Sequence, residues 1–238
     1  MGNLAAYRLI IFDKDGTLLD FQAMWGGWAA ALAERLATAA GKPVAPALLA
    51  RLGYDPATGQ IAPDGHLAHA PMSVLRQESA AVLQAAGLTA TAVEQILQLN
   101  WTIPDPVTTA VPLTNLPHLF AGLKSAGLKI AIATSDDRAP TLATLDNLGL
   151  TGYVDALVGA DEGIQPKPAP DMIAHLCRQL GVAPGETIMV GDTPADVQMG
   201  RAAGAGLVVG VLSGLGDAGA LRPWAGRLLA NVADLLPA

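Results

Sequence analysis

Two aspartates one residue apart, Asp13 and Asp15, stand directly against an apolar run in the string Phe12-Asp13-Lys14-Asp15-Gly16-Thr17-Leu18. Carboxylates at that spacing can divide a phosphoryl transfer between them. One, ionised, attacks phosphorus and forms an aspartyl-phosphate; the other, protonated, hands a proton to the departing alkoxide and then takes one from water. Gly16 would let the backbone approach a phosphate closely. Asp and Gly are also ordinary turn residues, so a purely structural reading exists. A turn alone, however, does not need two acids at the end of an apolar strand.

Such groups work only if the backbone holds them in place. Short apolar runs rich in β-branched residues occur at 8–12, 129–133, 156–159, 187–190 and 206–211, separated by longer helix-patterned stretches. Near-continuous apolarity is what strands covered on both faces require, so the pattern predicts an α/β fold with a doubly wound parallel sheet. The aspartate pair then leaves the first strand at its carboxyl end, where open α/β sheets place their ligands. Leu142, Leu145 and Leu148 predict a helix ended by Gly149, and Met172, Ile173, Leu176 and Leu180 form one stripe of a helix over 171–180.

The gap between the first two strands has a different composition. Residues 22–40 read as an Ala-rich helix carrying Trp25, Trp28, Leu32 and Leu36, stopped by Gly41-Lys42-Pro43. A turn-rich stretch over 53–71 precedes helical patterns at 72–86 and 91–100. The chain therefore divides into a core, residues 1–19 and 109–238, and a small helical insert, residues 20–108, with the proline-rich 104–112 as a semi-rigid hinge. Trp25, Trp28 and Trp101 fall on apolar stripes and read as packing of the insert.

With 238 residues, 51% hydrophobic and 15% charged, the chain can bury a sizeable core. A net charge of −7 argues against a nonspecific nucleic-acid binder. The single cysteine, Cys177, cannot form an internal disulfide, and no secretory apolar stretch follows Met1, so a cytoplasmic location is expected. Every apolar run is much shorter than the ~20 residues a spanning helix needs, so no membrane association is expected.

The first string resembles the Asp-x-Asp-Gly-Thr motif of the haloacid dehalogenase superfamily, in its phosphatase branch. Thr134-Ser135 after the second strand, Lys167-Pro168-Ala169-Pro170 after the third and Gly191-Asp192-Thr193-Pro194-Ala195-Asp196 after the fourth continue the likeness in the family's order. It covers the chain apart from the insert and is closest to subfamily I phosphatases of the phosphoglycolate-phosphatase kind, whose helical C1 cap lies between the first two motifs. The resemblance implies a Rossmann-like core and a hydrolase of small phosphomonoesters. It makes Asp13 the nucleophile, Asp15 the general acid and base, and Thr134 a hydrogen-bond donor to the phosphoryl group, with Ser135 and Gly16 beside it. Lys167 would neutralise charge on nucleophile and phosphate. Mg2+ would be held by Asp13, Asp192 and the backbone carbonyl of Asp15, with Asp196 behind them. Magnesium's preference for hard oxygens, completed by water and phosphate, fits such a set.

Each position also has a plainer explanation: Thr134 as a helix N-cap, Lys167 as a solvated lysine, Asp196 as a helix N-terminal acid. The chain departs from many relatives at Asp20-Phe21 and at Ser135-Asp136-Asp137-Arg138. Asp136 there adds negative charge near the phosphate site, unless Arg138 or the helix end offsets it. The expected partner is a small phosphorylated metabolite, and the expected assembly a monomer or homodimer. The alternatives are a phosphomutase of the beta-phosphoglucomutase type and an inactive phosphate-binding module.

Overall fold

The computed structural model describes residues 4–70, 72–105 and 107–236. Pro71 and Pro106, which end the expected turn-rich stretch and sit in the expected hinge, lie outside the described residues. The chain forms two compact units, Met1–Asp20 with Pro106–Ala238, and Phe21–Asp105.

After β1 (Leu9–Phe12) the chain enters the second unit. It builds α1 (Phe21–Ala40), α2 (Ala45–Leu52), the hairpin β2 (Tyr54–Asp55) and β3 (Gln60–Ile61), α3 (His66–His69), α4 (Met72–Ala85) and α5 (Ala90–Asn100). The first unit resumes with α6 (Leu116–Ser125), β4 (Lys129–Ala133), α7 (Arg138–Asn147), β5 (Ala156–Val158) and α8 (Asp171–Leu180). It ends with β6 (Thr187–Gly191), α9 (Pro194–Ala202), β7 (Leu207–Val211), α10 (Ala218–Leu221) and β8 (Arg227–Leu229).

Among the described residues the first unit holds a six-stranded parallel sheet in the order β5-β4-β1-β6-β7-β8. This is the expected doubly wound α/β architecture. Its central strand is the most apolar because it is buried on both sides: Leu9, Ile10, Ile11 and Phe12 are wholly inaccessible. Leu9 and Ile11 join Met172, Ile173, Leu176 and Met189 in one cluster, while Phe12 stacks on Phe120 of α6, ring centroids 5.5 Å apart. Each such side chain contributes about 1.5–3 kcal/mol by leaving water.

One local expectation changes. The inward face of α7 is made by Thr141, Thr144 and Leu145, whereas Leu142 is exposed. The threonines can face inward because their hydroxyls donate to carbonyls one turn back, Thr141 to Asp137 and Thr144 to Pro140. The edge strand β8 has no clear apolar run; pairing with β7 along Val209 to Val211 holds it extended. Cys177 is buried against the Thr187 hydroxyl, as packing would have it.

In the helical unit α1 buries Trp28, Leu32 and Leu36. Trp25 and Trp101 stand edge-on to Trp28, centroids 5.9 and 5.7 Å away, and Trp28 Nε1 donates to the Thr102 carbonyl. The turn-rich stretch holds the β2–β3 hairpin, nucleated by Asp55, whose carboxylate accepts from Ala57 N and Thr58 Oγ1. No helix among the described residues is long and apolar enough to cross a membrane.

Candidate active site

Sheet register brings three motif segments to one edge. Phe12 lies opposite Ile132 of β4 and Val190 of β6, so Asp13, Thr134 and Asp192 emerge from adjacent strands at their carboxyl ends. The Asp13 amide still donates to the Val190 carbonyl at 2.9 Å, extending the ladder by one residue and fixing where that side chain starts.

Lys167 reaches this edge from the turn before α8, where its peptide bond to Pro168 is cis. Its side chain is only 6% exposed, and Nζ lies 2.5 Å from Asp13 Oδ1 and 2.6 Å from Asp196 Oδ1. Asp196 does two jobs. Its Oδ2 accepts from the amide and hydroxyl of Thr193, closing a capping box at the start of α9, while Oδ1 pairs with Lys167. Asp196 is thus at once an acid in the first turn of α9 and an ion-pair partner of Lys167.

Asp192 is almost wholly buried and is held from two directions, Oδ1 by the Thr17 hydroxyl at 3.1 Å and Oδ2 by the Leu215 amide at 2.9 Å. Gly16 adopts φ +84°, and a Cβ there would fall 2.4 Å from Asp192 Oδ2. The glycine is therefore required by the neighbouring carboxylate, whether or not a ligand approaches. The segment after β7 closes over the same acid: Ser213 Oγ donates to the Gly16 carbonyl, and the Gly216 amide to the Asp192 carbonyl.

Thr134 is buried, and its hydroxyl accepts from the Asp136 amide at 3.1 Å, which makes a hydroxyl-closed turn. The N-cap position of α7 belongs to Asp137, so Thr134 does not cap that helix. Its hydroxyl hydrogen is left for another acceptor. Ser135 is exposed.

On the other side of Asp13 stands a group the sequence did not single out. The Lys14 ammonium is 2.7 Å from both oxygens of Asp15 and 2.9 Å from Asp136 Oδ2. Lys14, and not Arg138, offsets the charge of Asp136; Arg138 turns instead to Glu162 and the Leu157 carbonyl. Thr17 and the 213–216 segment were also missed. A lysine between two aspartates reads as a solvated residue, and no residue pattern marks a loop that contributes mainly backbone amides.

The site carries more negative than positive charge. Burial pushes Asp13 up from 3.8 to about 7, against the pull of Lys167, with Asp196 and Asp15 adding to the rise. Asp192 is raised by burial and then by Asp13 and Asp196. Asp15 is raised by burial and restrained by Lys14. Both lysines are penalised by burial but held above their ordinary value by their carboxylate partners. Oxygens of Asp13, Asp192 and Asp196 lie within 4.8 Å of one another, with one ammonium among them. Three hard-oxygen donors with two uncompensated charges suit a divalent cation such as magnesium. Asp196, already engaged through both oxygens, is the least suited of the three to be a direct ligand.

A family model for haloacid dehalogenase-like hydrolases matches residues 7–204. The phosphoglycolate phosphatase of Aquifex aeolicus is 34% identical over 102 residues, covering 43% of this chain and 48% of that protein. That of Rhodospirillum rubrum is 35% identical over 106 residues, covering 44% of each. The chain thus spans less than half the length of these two relatives. Among solved structures, a subfamily IA hydrolase from Geobacter sulfurreducens superposes with a TM-score of 0.68 over 99% of both chains at 19% identity, a likeness of fold.

Proposed function

We propose, from the fact that the chain belongs to the haloacid dehalogenase-like hydrolase family, that it is a phosphatase of small phosphomonoesters. Phosphoglycolate hydrolysis, the activity after which several relatives are named, serves as its functional model. The observation that carries this reading is the pairing of Asp13 with Lys167, two side chains 154 positions apart and nearly inaccessible, at the carboxyl end of the central strand.

In the first step an Asp13 oxygen attacks phosphorus as the bond to the substrate's alkoxide breaks, and Asp15 gives that alkoxide its proton. In the second, Asp15 takes a proton from water, the water oxygen bonds to phosphorus, and the phosphorus–Asp13 bond breaks to free inorganic phosphate. Lys167 lowers the repulsion between an anionic nucleophile and an anionic phosphate, and the Thr134 hydroxyl donates to a phosphoryl oxygen. The carboxylates of Asp13 and Asp192 and the Asp15 carbonyl would hold Mg2+, which supplies positive charge to the phosphoryl oxygens when bound. The test is phosphate release from small phosphorylated acids and sugars with magnesium, for the native enzyme and Asp13→Asn. Release by the native enzyme and none by the variant is expected. Isomerised sugar phosphate without free phosphate would overturn hydrolysis, and an active variant would overturn the role of Asp13.

A further inference from the structure

The Lys14 bridge is not explained by the steps above. Its side chain is 2% exposed, and its stem lies among Leu18, Leu19, Leu116, Leu145 and Leu148. An apolar residue would fill that position at no desolvation cost, but removing the ammonium alone would leave the Asp15 and Asp136 carboxylates without their partner. What the ammonium does is geometric: it holds both oxygens of Asp15 at 2.7 Å and ties them to Asp136, two residues beyond Thr134. A carboxylate fixed at both oxygens cannot rotate freely. The bond from Lys14 to Asp136 also links the loop bearing Asp15 to the loop bearing Thr134.

We infer that Lys14 is a positioning residue, which orients the Asp15 carboxyl for proton transfer to the leaving group and locks it to the phosphate-binding loop through Asp136. The inference rests on the phosphatase reading above, and specifically on Asp15 as the proton donor. It makes a prediction that a general structural role does not. A poor leaving group, such as the alkoxide of an alkyl phosphate, needs the proton; p-nitrophenolate scarcely does. Because kcat/KM reports only as far as departure of the leaving group, a misplaced donor should affect the two substrates unequally.

The experiment compares native enzyme, Lys14→Met and Asp15→Asn with an alkyl phosphate and with p-nitrophenyl phosphate, magnesium present. Met keeps the apolar stem and removes the ammonium. For Lys14→Met we expect kcat/KM to fall on the order of 100-fold with the alkyl phosphate and no more than about threefold with p-nitrophenyl phosphate. Added to Asp15→Asn, the same change should have almost no further effect, since it acts through that carboxyl. Equal losses on both substrates, no loss, or full additivity with Asp15→Asn would overturn the inference. If Lys14→Met does not fold, Asp136→Asn tests the bridge from its more exposed end. It should show the same leaving-group dependence at several-fold amplitude, and an equal effect on the two substrates would overturn the inference. Failure of the native enzyme to hydrolyse either compound would instead count against the phosphatase reading itself.

Discussion

Two buried lysines flank the end of β1, and each bridges two carboxylates, yet they are built differently. Lys167 comes from a distant turn and joins Asp13 to Asp196 at the start of α9. Lys14 is part of the strand-end string itself and joins its neighbour Asp15 to Asp136 in the loop after β4. The first bridge joins remote segments and, on the proposed reading, would supply charge where phosphorus is attacked. The second orients a group already at hand. On that reading one lysine belongs with the proposed nucleophile and the other with the proposed proton carrier, and removing either should fail in its own way.

The largest effect separates the nucleophile from everything around it. Asp13→Asn, nearly isosteric, should lower phosphate release by at least about 10⁴-fold, measured with any accepted substrate. Lys167→Met should follow, with kcat/KM reduced on the order of 10²–10³-fold for both alkyl and aryl phosphates, because charge at the phosphoryl group matters whatever the leaving group. A loss for Lys167→Met confined to alkyl phosphates would erase the distinction between the two bridges.

Stability offers a subtler contrast. Asp13 stands at about 7 in the folded protein against 3.8 ordinarily. A raised carboxyl stabilises the fold below 3.8, and that contribution is lost as pH rises through about 7. In chelator, the melting temperature of Asp13→Asn relative to the native enzyme should therefore increase between about pH 4 and pH 8. Magnesium should raise the native melting temperature more at pH 8 than at pH 5, and Asp192→Asn should abolish that rise. A relative stability of Asp13→Asn that fell with pH would contradict the charge surplus assigned to the site. The smallest effect belongs to Arg138, whose contacts with Glu162 and Leu157 lie apart from either bridge. Arg138→Ala should change kcat/KM less than about threefold, a surface-like effect.

The two bridges also differ in how far they could be read from residues alone. Asp13, Lys167, Asp192 and Asp196 follow apolar runs that only a sheet buried on both faces requires, so strand pattern and site pattern pointed to one edge. The parallel sheet was legible for the same reason. The pairing of Lys14 with Asp136 was not, because the meaning of a charged side chain depends on its partner. Asp136 looked uncompensated until Lys14 proved to turn toward it. The Thr141 and Thr144 face of α7 was hidden because threonine carries its own means of burial through i−4 carbonyls, which hydropathy does not record. The β2–β3 hairpin and β8 were too short to show a period. The need for glycine at Gly16 has a second source that residues alone do not show, the Asp192 carboxylate, distant in sequence, beside it.

On the proposed reading Asp13 becomes transiently bonded to phosphorus. A crystal structure with magnesium and beryllium fluoride, a mimic of the phosphoryl group, tests it directly. Beryllium is expected on an Asp13 carboxylate oxygen, with Lys167 Nζ and Thr134 Oγ1 within hydrogen-bonding distance of its fluorides. Beryllium on any other side chain, or an adduct that neither Lys167 nor Thr134 touches, would contradict it.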